Sequence, residues 1–229
     1  MARPRVRETD SGITGEFTCE MYNEMQRRFR DRGWMETKDI LKSGITDGHA
    51  LEVGPGPGYL GLEWLKATEG TRLTGLDISP DMLAVARQNV REYGLQDRAT
   101  YVESPGGEMP FDDGMFDAVF TNGSLHEWDD PVAVLNEIAR VLRPGGRYFI
   151  SDLRRDMSPV LYGIMWLGCR PTAMRPGLKT SVDAAYTPAE LRALVTASRL
   201  DNPEVRSNLI GLQVAPLADQ LPRLHTKNS

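Results

Sequence analysis

A short apolar segment that runs directly into a glycine-rich turn constrains this chain most. His49-Ala-Leu-Glu-Val53 has the length and apolar character of a buried strand, and Gly54-Pro-Gly-Pro-Gly58 follows without a break. Residues without a Cβ atom let the backbone approach a ligand closely, and N–H groups near a helix N-terminus can point at it. A helical pattern begins at Tyr59. The segment therefore predicts a strand, a ligand-binding turn and a helix.

The same alternation continues along the chain. Strands and helices that alternate at this spacing predict an α/β fold with a parallel sheet. We therefore expect a Rossmann-like, doubly wound, mostly parallel seven-stranded sheet with helices on both faces. The predicted strands cover residues 49–53, 72–76, 99–103, 116–120 and 147–151, with two short ones within 203–214; the predicted helices cover 20–31, 36–42, 59–67, 80–93, 131–142 and 187–199.

Three segments are expected from this pattern. Residues 1–44 form an N-terminal arm, polar and mobile over residues 1–17, followed by helices that cover the ligand site. Residues 45–153 form the Rossmann-like core. Residues 154–229 form a small cap after the fifth strand, a final helix and the last strands. The pattern is irregular between Asp152 and Thr187, where Thr187-Pro-Ala-Glu190 predicts a capping box that starts the final helix.

Composition narrows the function classes. The formal net charge of −5 gives no reason to expect a nucleic-acid partner. The longest apolar stretch, residues 160–169, has ten residues, whereas a membrane span needs roughly 20. The basic N-terminus lacks the apolar run of a secretory signal, so we expect a cytoplasmic protein. Cys19 and Cys169 suit two packed, reduced thiols; the alternative is a role at an acceptor or soft-metal site.

The glycine turn alone leaves two cofactor classes open. Gly54-x-Gly56-x-Gly58 can also be read in a shifted register as Gly56-x-Gly58-x-x-Gly61, which satisfies the dinucleotide fingerprint but starts two residues too late after the strand. Asp77 lies 19 residues beyond Gly58, where a carboxylate can accept both ribose hydroxyls of an adenosine-containing ligand. A turn or cap residue before Ile78 is the alternative interpretation of Asp77.

Three downstream segments separate the two classes. Met109-Pro-Phe-Asp-Asp-Gly-Met-Phe-Asp117, Asn122-Gly-Ser-Leu-His-Glu-Trp128 and Val141-Leu-Arg-Pro-Gly-Gly146 follow the glycine turn in order. With the turn, they resemble the class I S-adenosylmethionine (SAM)-dependent methyltransferases, and most closely the group that includes the ubiquinone/menaquinone-biosynthesis and other small-molecule enzymes. The resemblance covers residues 49–152. It implies SAM as the cofactor and disfavours an NAD-dependent oxidoreductase.

The resemblance also implies roles for individual residues. Glu52 matches the acidic residue near the methionine amino group, and the loop glycines lie under the methionine and ribose. Asp77 matches the ribose carboxylate, and Ile78 the apolar residue against adenine. Asn122 and Gly123 match the backbone that contacts the methionine moiety. The family's adenine-binding Asp has no counterpart here, so the expected substitute is Ser104, Glu108 or the Gly106–Gly107 backbone, and Met109 is also counted among the cofactor-binding residues.

Two further residues are candidates on the acceptor side. His126 follows the fourth strand and has an ordinary pKa near 6.5, which suits a general base; the alternative is that it only shapes the pocket. Tyr22, on the first helix, matches an aromatic that covers the methionine end of SAM, or simply packs. The apolar cap with Arg170 and Arg175 suits an anionic small-molecule acceptor, internal packing or a homodimer face. A SAM-binding protein that transfers no methyl group is the alternative function.

Overall fold

A single mixed sheet organises the protein. The computed structural model describes residues 4–8 and 13–217. In this part of the chain, seven strands form one sheet in the order β3-β2-β1-β4-β5-β7-β6. Strands β1 to β5 run parallel to one another, whereas β7 is antiparallel to both of its neighbours, β5 and β6. The bounds are β1 His49–Val53, β2 Arg72–Asp77, β3 Ala99–Glu103, β4 Phe116–Asn122, β5 Leu142–Leu153, β6 Pro203–Ser207 and β7 Gly211–Pro216.

The helices begin where the sequence supplies N-caps. Ser79 and Asp130 accept hydrogen bonds from backbone N–H groups of the first turns of α4 and α5, and each is followed by proline at the first helical position. Thr187 and Glu190 form the expected capping box of α8. The bounds are α1 Glu16–Asp31, α2 Thr37–Lys42, α3 Tyr59–Lys66, α4 Pro80–Glu92, α5 Pro131–Val141, α6 Pro159–Gly168, α7 Arg175–Ala184 and α8 Pro188–Ala197.

Two hydrophobic clusters sandwich the sheet. Side chains alternate between the faces of a strand, and in β1 Ala50 belongs to one cluster while Leu51 and Val53 belong to the other. The helices α2, α3 and α4 contribute to the Ala50 cluster, and α5 and α8 to the opposite one. The expected Rossmann-like fold with helices on both faces is confirmed.

Three details differ from the sequence-based expectations. The segment after β5 is helical over α6 and α7 rather than irregular. The pattern failed there because α6 is apolar all round and none of its residues is buried, so it lacks amphipathic periodicity. Strand β5 starts at Leu142, since Leu142 pairs with Phe116 before a register shift, and α1 starts at Glu16. Within residues 4–8 and 13–217, no helix combines the length and apolar character that crossing a bilayer requires.

The described part of the N-terminal arm lies against the end of α7. Arg5 donates to the carbonyl oxygens of Ala184 and His126 at 2.5 and 3.0 Å, and its guanidinium lies 4.2 Å from the Tyr186 ring centroid. The Val6 N–H donates to Asp183 O at 3.0 Å. These contacts dock residues 4–8 on the folded core. The expected mobility of the arm in the absence of ligand stays a prediction, and residues 1–3 and 9–12 of that arm, and residues 218–229 of the last segment, lie outside the described residues.

Candidate functional site

The candidate site lies at the carboxyl ends of the parallel strands. In open α/β sheets, ligands bind in the crevice where the strand order reverses, which here is between β1 and β4. Strand β1 ends at Val53, next to the glycine loop, and β4 ends at Asn122. A cleft at this position is lined by residues from both ends, together with α1 and α3: Tyr22, Gln26, Met35, Glu52, Gly54, Pro55, Pro57, Tyr59, Leu60 and Asn122.

The glycine loop has a backbone that other residues would strain. Gly54 and Gly58 adopt φ values of 66° and 83°, in the left-handed region. A Cβ on Gly54 would lie 2.6 Å from Ser124 Cβ, and one on Gly58 2.6 Å from the Tyr101 hydroxyl. The loop backbone therefore packs against Ser124 and Tyr101 at distances that leave no room for a Cβ atom.

Glu52 is a buried carboxylate without a cationic partner. Its side chain is 2% exposed, and Oε2 has no hydrogen-bond partner among the described residues. Burial raises the pKa of Glu52 well above its ordinary value, which the Gly61 N–H opposes and the charge of Asp77 reinforces. A Cβ on Gly61 would overlap Glu52 Oε2, so this glycine is explained by the packing of α3 on β1 and not by a shifted nucleotide fingerprint. Such a carboxylate suits the ammonium group of a methionine moiety.

Asp77 organises the adjacent turn and keeps free acceptor capacity. Its Oδ2 accepts the Gly56 N–H at 3.1 Å, and its Oδ1 accepts the Ser79 N–H at 2.9 Å. Burial raises the pKa of Asp77, an effect that these backbone hydrogen bonds oppose. Each carboxylate oxygen retains a second lone-pair site. Ile78, beside it, is 46% exposed, which leaves its side chain accessible to a ligand.

The segment after β3 forms a compact turn. Ser104 Oγ donates to Glu108 O at 2.9 Å, and the Ser104 N–H donates to Asp77 O at 3.1 Å, so the turn lies beside the ribose-side carboxylate. Glu108 is exposed. Met109 differs from the expectation: its side chain is 4% exposed within the core, and its N–H donates to Glu137 Oε2 at 2.8 Å. Met109 is therefore a packing residue in this structure.

The end of β4 and the first helix meet over the loop. Asn122 Nδ2 donates to Ser151 Oγ at 3.0 Å, and the Gly123 N–H donates to Ser151 O at 2.9 Å. The Tyr22 hydroxyl accepts from Gln26 Nε2 at 2.9 Å. A Cβ on Gly56 would lie 3.3 Å from Tyr22 Cε1, so the Tyr22 ring lies against the loop, and its role over the methionine end of SAM stays a prediction.

His126 lies at the same edge, in the short 3-10 helix Leu125–Glu127, and is 4% exposed. Its Nδ1 is 2.9 Å from both carboxylate oxygens of Asp152, whose Oδ2 also accepts the His126 N–H at 2.7 Å. Its Nε2 lies 3.4 Å from Glu8 Oε2 and 3.8 Å from Glu127 Oε1. Burial opposes protonation, but the three carboxylates outweigh it, so the pKa of His126 lies well above its ordinary value.

Several residues of this edge were missed from sequence. Asp152 lies at the carboxyl end of β5, as Asp77 does in β2, so its place at this edge could have been predicted from the sequence. Glu127, next to His126, also lies at this edge, and burial raises its pKa to about 7. Glu36, at the start of α2, hydrogen-bonds Ser151 and Asn122, and burial raises its pKa as well. No spacing pattern points to Glu36 or Glu8, because both arrive from the N-terminal segment.

The cap residues do not converge on this edge as an anion site. Arg170 donates to the carbonyl oxygens of Leu167 and Cys169, and the Arg175 guanidinium lies 5.7 Å from the Trp166 ring centroid. Cys169 and Cys19 are buried and unbridged, which fits the packed thiols expected from sequence.

Comparisons with known proteins agree with this geometry. A family described as "Methyltransferase domain" matches residues 51–150. A ubiquinone/menaquinone biosynthesis C-methyltransferase, UbiE, from Geobacter sp. is 32% identical over 73% of this chain and 72% of its own length. The methyltransferase GfsG of Streptomyces halstedii is 37% identical over 48% of this chain, which spans only 39% of that relative.

A solved structure shows the same fold. It is a candidate SAM-dependent methyltransferase from Methanococcus maripaludis, with a TM-score of 0.71 at 20% identity, and it covers 90% of this chain and 96% of its own. The glycine loop, the carboxylates at the strand ends and these relatives all indicate the same protein family. The chain therefore belongs to the class I SAM-dependent methyltransferases, in the broad group that contains the ubiquinone and menaquinone biosynthesis enzymes.

Proposed function

We propose that this chain transfers the methyl group of SAM to a small-molecule acceptor bound at the His126 side of the cleft. The observation that carries the proposal is Glu52, whose buried Oε2 lacks a partner beside the glycine loop. A buried carboxylate is costly unless it is paired, and the ammonium group of the SAM methionine would pair it. The name of the UbiE relative, which acts in quinone biosynthesis, supports a small-molecule acceptor.

Within this proposal each strand end holds one part of SAM. Asp77 accepts the ribose hydroxyls with its remaining lone pairs, and the exposed Ile78 packs against adenine. Ser104 and Glu108, at the turn after β3, take the place of the absent adenine-binding Asp. Because the Gly123 N–H already donates to Ser151 O, Asn122 and Gly123 offer their carbonyl oxygens to the methionine moiety.

The chain's own residues act mainly by positioning. When bound, SAM supplies an activated sulfonium methyl that a nucleophile displaces in line. Tyr22 covers the loop and excludes water from the methionine end, while the arm and α7 close the acceptor side. The role of His126 as a general base stays a prediction, and the raised pKa of its ring moves the pH range in which the ring can accept a proton upwards.

The direct test is calorimetric titration with SAM and S-adenosylhomocysteine, followed by incubation of methyl-labelled SAM with metabolite extracts. We expect saturable binding of both ligands and one labelled small molecule. No binding at millimolar ligand would refute the cofactor site, and tight binding without any labelled product would favour the SAM-binding alternative. Unchanged turnover of His126→Ala across pH would refute the base role. The cytoplasmic location and the homodimer stay predictions.

A further inference from the structure

The acceptor side of the cleft holds a set of metal-ligand atoms that the proposed function does not require. Glu8, His126 and Glu127 each present one ligand atom, and the three atoms lie within 4.8 Å of one another. They come from the N-terminal arm and the 3-10 helix, at the edge where β4 and β5 end. From this geometry we infer that His126 Nε2, Glu8 and Glu127 bind a divalent transition-metal ion.

The buried imidazole nitrogen is the first argument. His126 is 4% exposed, and its Nε2 has no well-formed hydrogen bond among the described residues, because its contact with Glu8 Oε2, at 3.4 Å, is long. A buried polar atom without a partner is rare and requires an explanation, such as an ion. The atom points at the two carboxylates, since Glu8 Oε2 and Glu127 Oε1 are its neighbours at 3.4 and 3.8 Å.

The surroundings of the cluster are those of a metal site. Metal-binding histidines almost always donate their other ring N–H to a carboxylate or carbonyl, and Asp152 receives His126 Nδ1 at 2.9 Å with both oxygens. This contact keeps a proton on Nδ1, so loss of the second ring proton, which the raised pKa of His126 opposes, frees the Nε2 lone pair for an ion. Glu8 is oriented in turn by hydrogen bonds from Thr180 and Ser181 of α7.

The distances fit the ion class that the donors select. One imidazole and two carboxylates suit Zn²⁺, Mn²⁺, Fe²⁺ or Co²⁺. Ligand atoms about 2.0–2.2 Å from a tetrahedral ion lie about 3.3–3.6 Å from one another, close to the observed 3.4 and 3.8 Å. Three protein ligands leave a further position open for water or a reacting group. With Nε2 bound to the ion, His126 would have no free lone pair with which to act as a general base, so the two roles exclude each other.

The test is direct metal binding to the chelator-treated, tag-free protein, without SAM or acceptor. Co²⁺ is titrated and followed by its visible d–d absorption, and Mn²⁺ by electron paramagnetic resonance. We expect one ion per chain. Glu8→Gln and Glu127→Gln should each weaken binding by at least about tenfold, and Asp152→Asn by about 10–100-fold. Glu24→Gln, which removes a half-exposed carboxylate on α1, is the matched charge control and should bind as the wild type does.

Two results would overturn the inference. Absence of binding at millimolar Co²⁺ and Mn²⁺ would mean that a protonated His126 pairs with the carboxylates instead. Binding that survives either Glu8→Gln or Glu127→Gln would place the ion elsewhere. Glu8 lies on the arm outside the core, so its variant keeps the test valid if His126→Ala fails to fold. SAM calorimetry on the same samples reports the cofactor site separately, so failure of one proposal is distinguishable from failure of the other.

Discussion

Replacing Asp77 by asparagine tests the SAM orientation most directly. The carboxylate accepts the Gly56 and Ser79 N–H groups with different oxygens, at 3.1 and 2.9 Å, and has one lone-pair site left on each oxygen for a ribose hydroxyl. Asparagine keeps only one oxygen. Its amide nitrogen would face a backbone N–H, so Asp77→Asn loses one loop contact and one ribose contact while the side chain keeps its shape.

The expected size follows from the lost ribose contact. A hydrogen bond to a charged group contributes about 1.5–3 kcal/mol, so the Kd for SAM and S-adenosylhomocysteine should rise about 10- to 150-fold. Isothermal titration calorimetry at neutral pH measures the change. Asp113→Asn is the matched control, because its carboxylate is 81% exposed and pairs only with Arg140 in the described structure. Its Kd should equal that of the wild type.

A ligand analogue makes this prediction refutable. S-adenosylhomocysteine without its 2′ and 3′ hydroxyls should bind the wild type more weakly than the parent compound. The same substitution in the ligand should matter less to Asp77→Asn, because one partner is already gone. Equal discrimination by wild type and variant would show that Asp77 does not contact the ribose.

Three further predictions concern the same fold and site. At pH values where the raised pKa keeps Glu52 protonated in the free protein, SAM binding should release a proton, because the ligand ammonium favours the ionised carboxylate. Affinity then rises with pH, and calorimetry in buffers of different ionisation enthalpy should show a proton release that Glu52→Gln abolishes. Gly58→Ala should lower the Tm by at least about 2–8 °C in thermal circular dichroism and impair SAM binding, since it combines positive φ with a close approach to Tyr101. Gly70→Ala shares the positive φ but has open space, so SAM binding at wild-type strength by both variants would contradict the steric argument. Thr187→Ala should cost about 0.5–2 kcal/mol in urea unfolding, because it removes the capping box of α8, whereas Thr196→Ala, in the last turn of the same helix, should not; equal costs would refute the cap assignment.

The sequence predicted the core because local signals and burial agree there. Strand β1 and the glycine loop lie where the apolar run and the positive φ requirement place them, and Ser79-Pro80 starts α4. The pattern did not predict α6, because a helix without buried residues has no apolar stripe to recognise. Helix propensity and apolarity alone do not distinguish such a segment from an irregular cap.

Only part of the candidate site could be predicted from the sequence. Residues at strand ends, such as Glu52, Asp77 and Asn122, were predictable because parallel strands bring their carboxyl ends to one edge. Glu8 and Glu36 reach that edge from the N-terminal segment, through long-range contacts that leave no periodic mark in the sequence. The environment of His126 was equally hidden, since it depends on Asp152 and on the arm together.

The carboxylates at the carboxyl ends of β1, β2 and β5 affect how strongly the cofactor is held before and after methyl transfer. Once the ligand ammonium has favoured the ionised form of Glu52, the carboxylates of Glu52, Asp77 and Asp152 place negative charge at one edge of the sheet, and the buried Glu52 and Asp152 are little screened by the ions of bulk solvent. SAM carries a sulfonium in addition to its ammonium group, and methyl transfer converts that sulfonium to a neutral thioether. The ligand thus loses one positive charge at the moment of reaction, while the protein's charges stay fixed. Electrostatic attraction at this edge favours the unreacted cofactor over the spent one and assists its exchange.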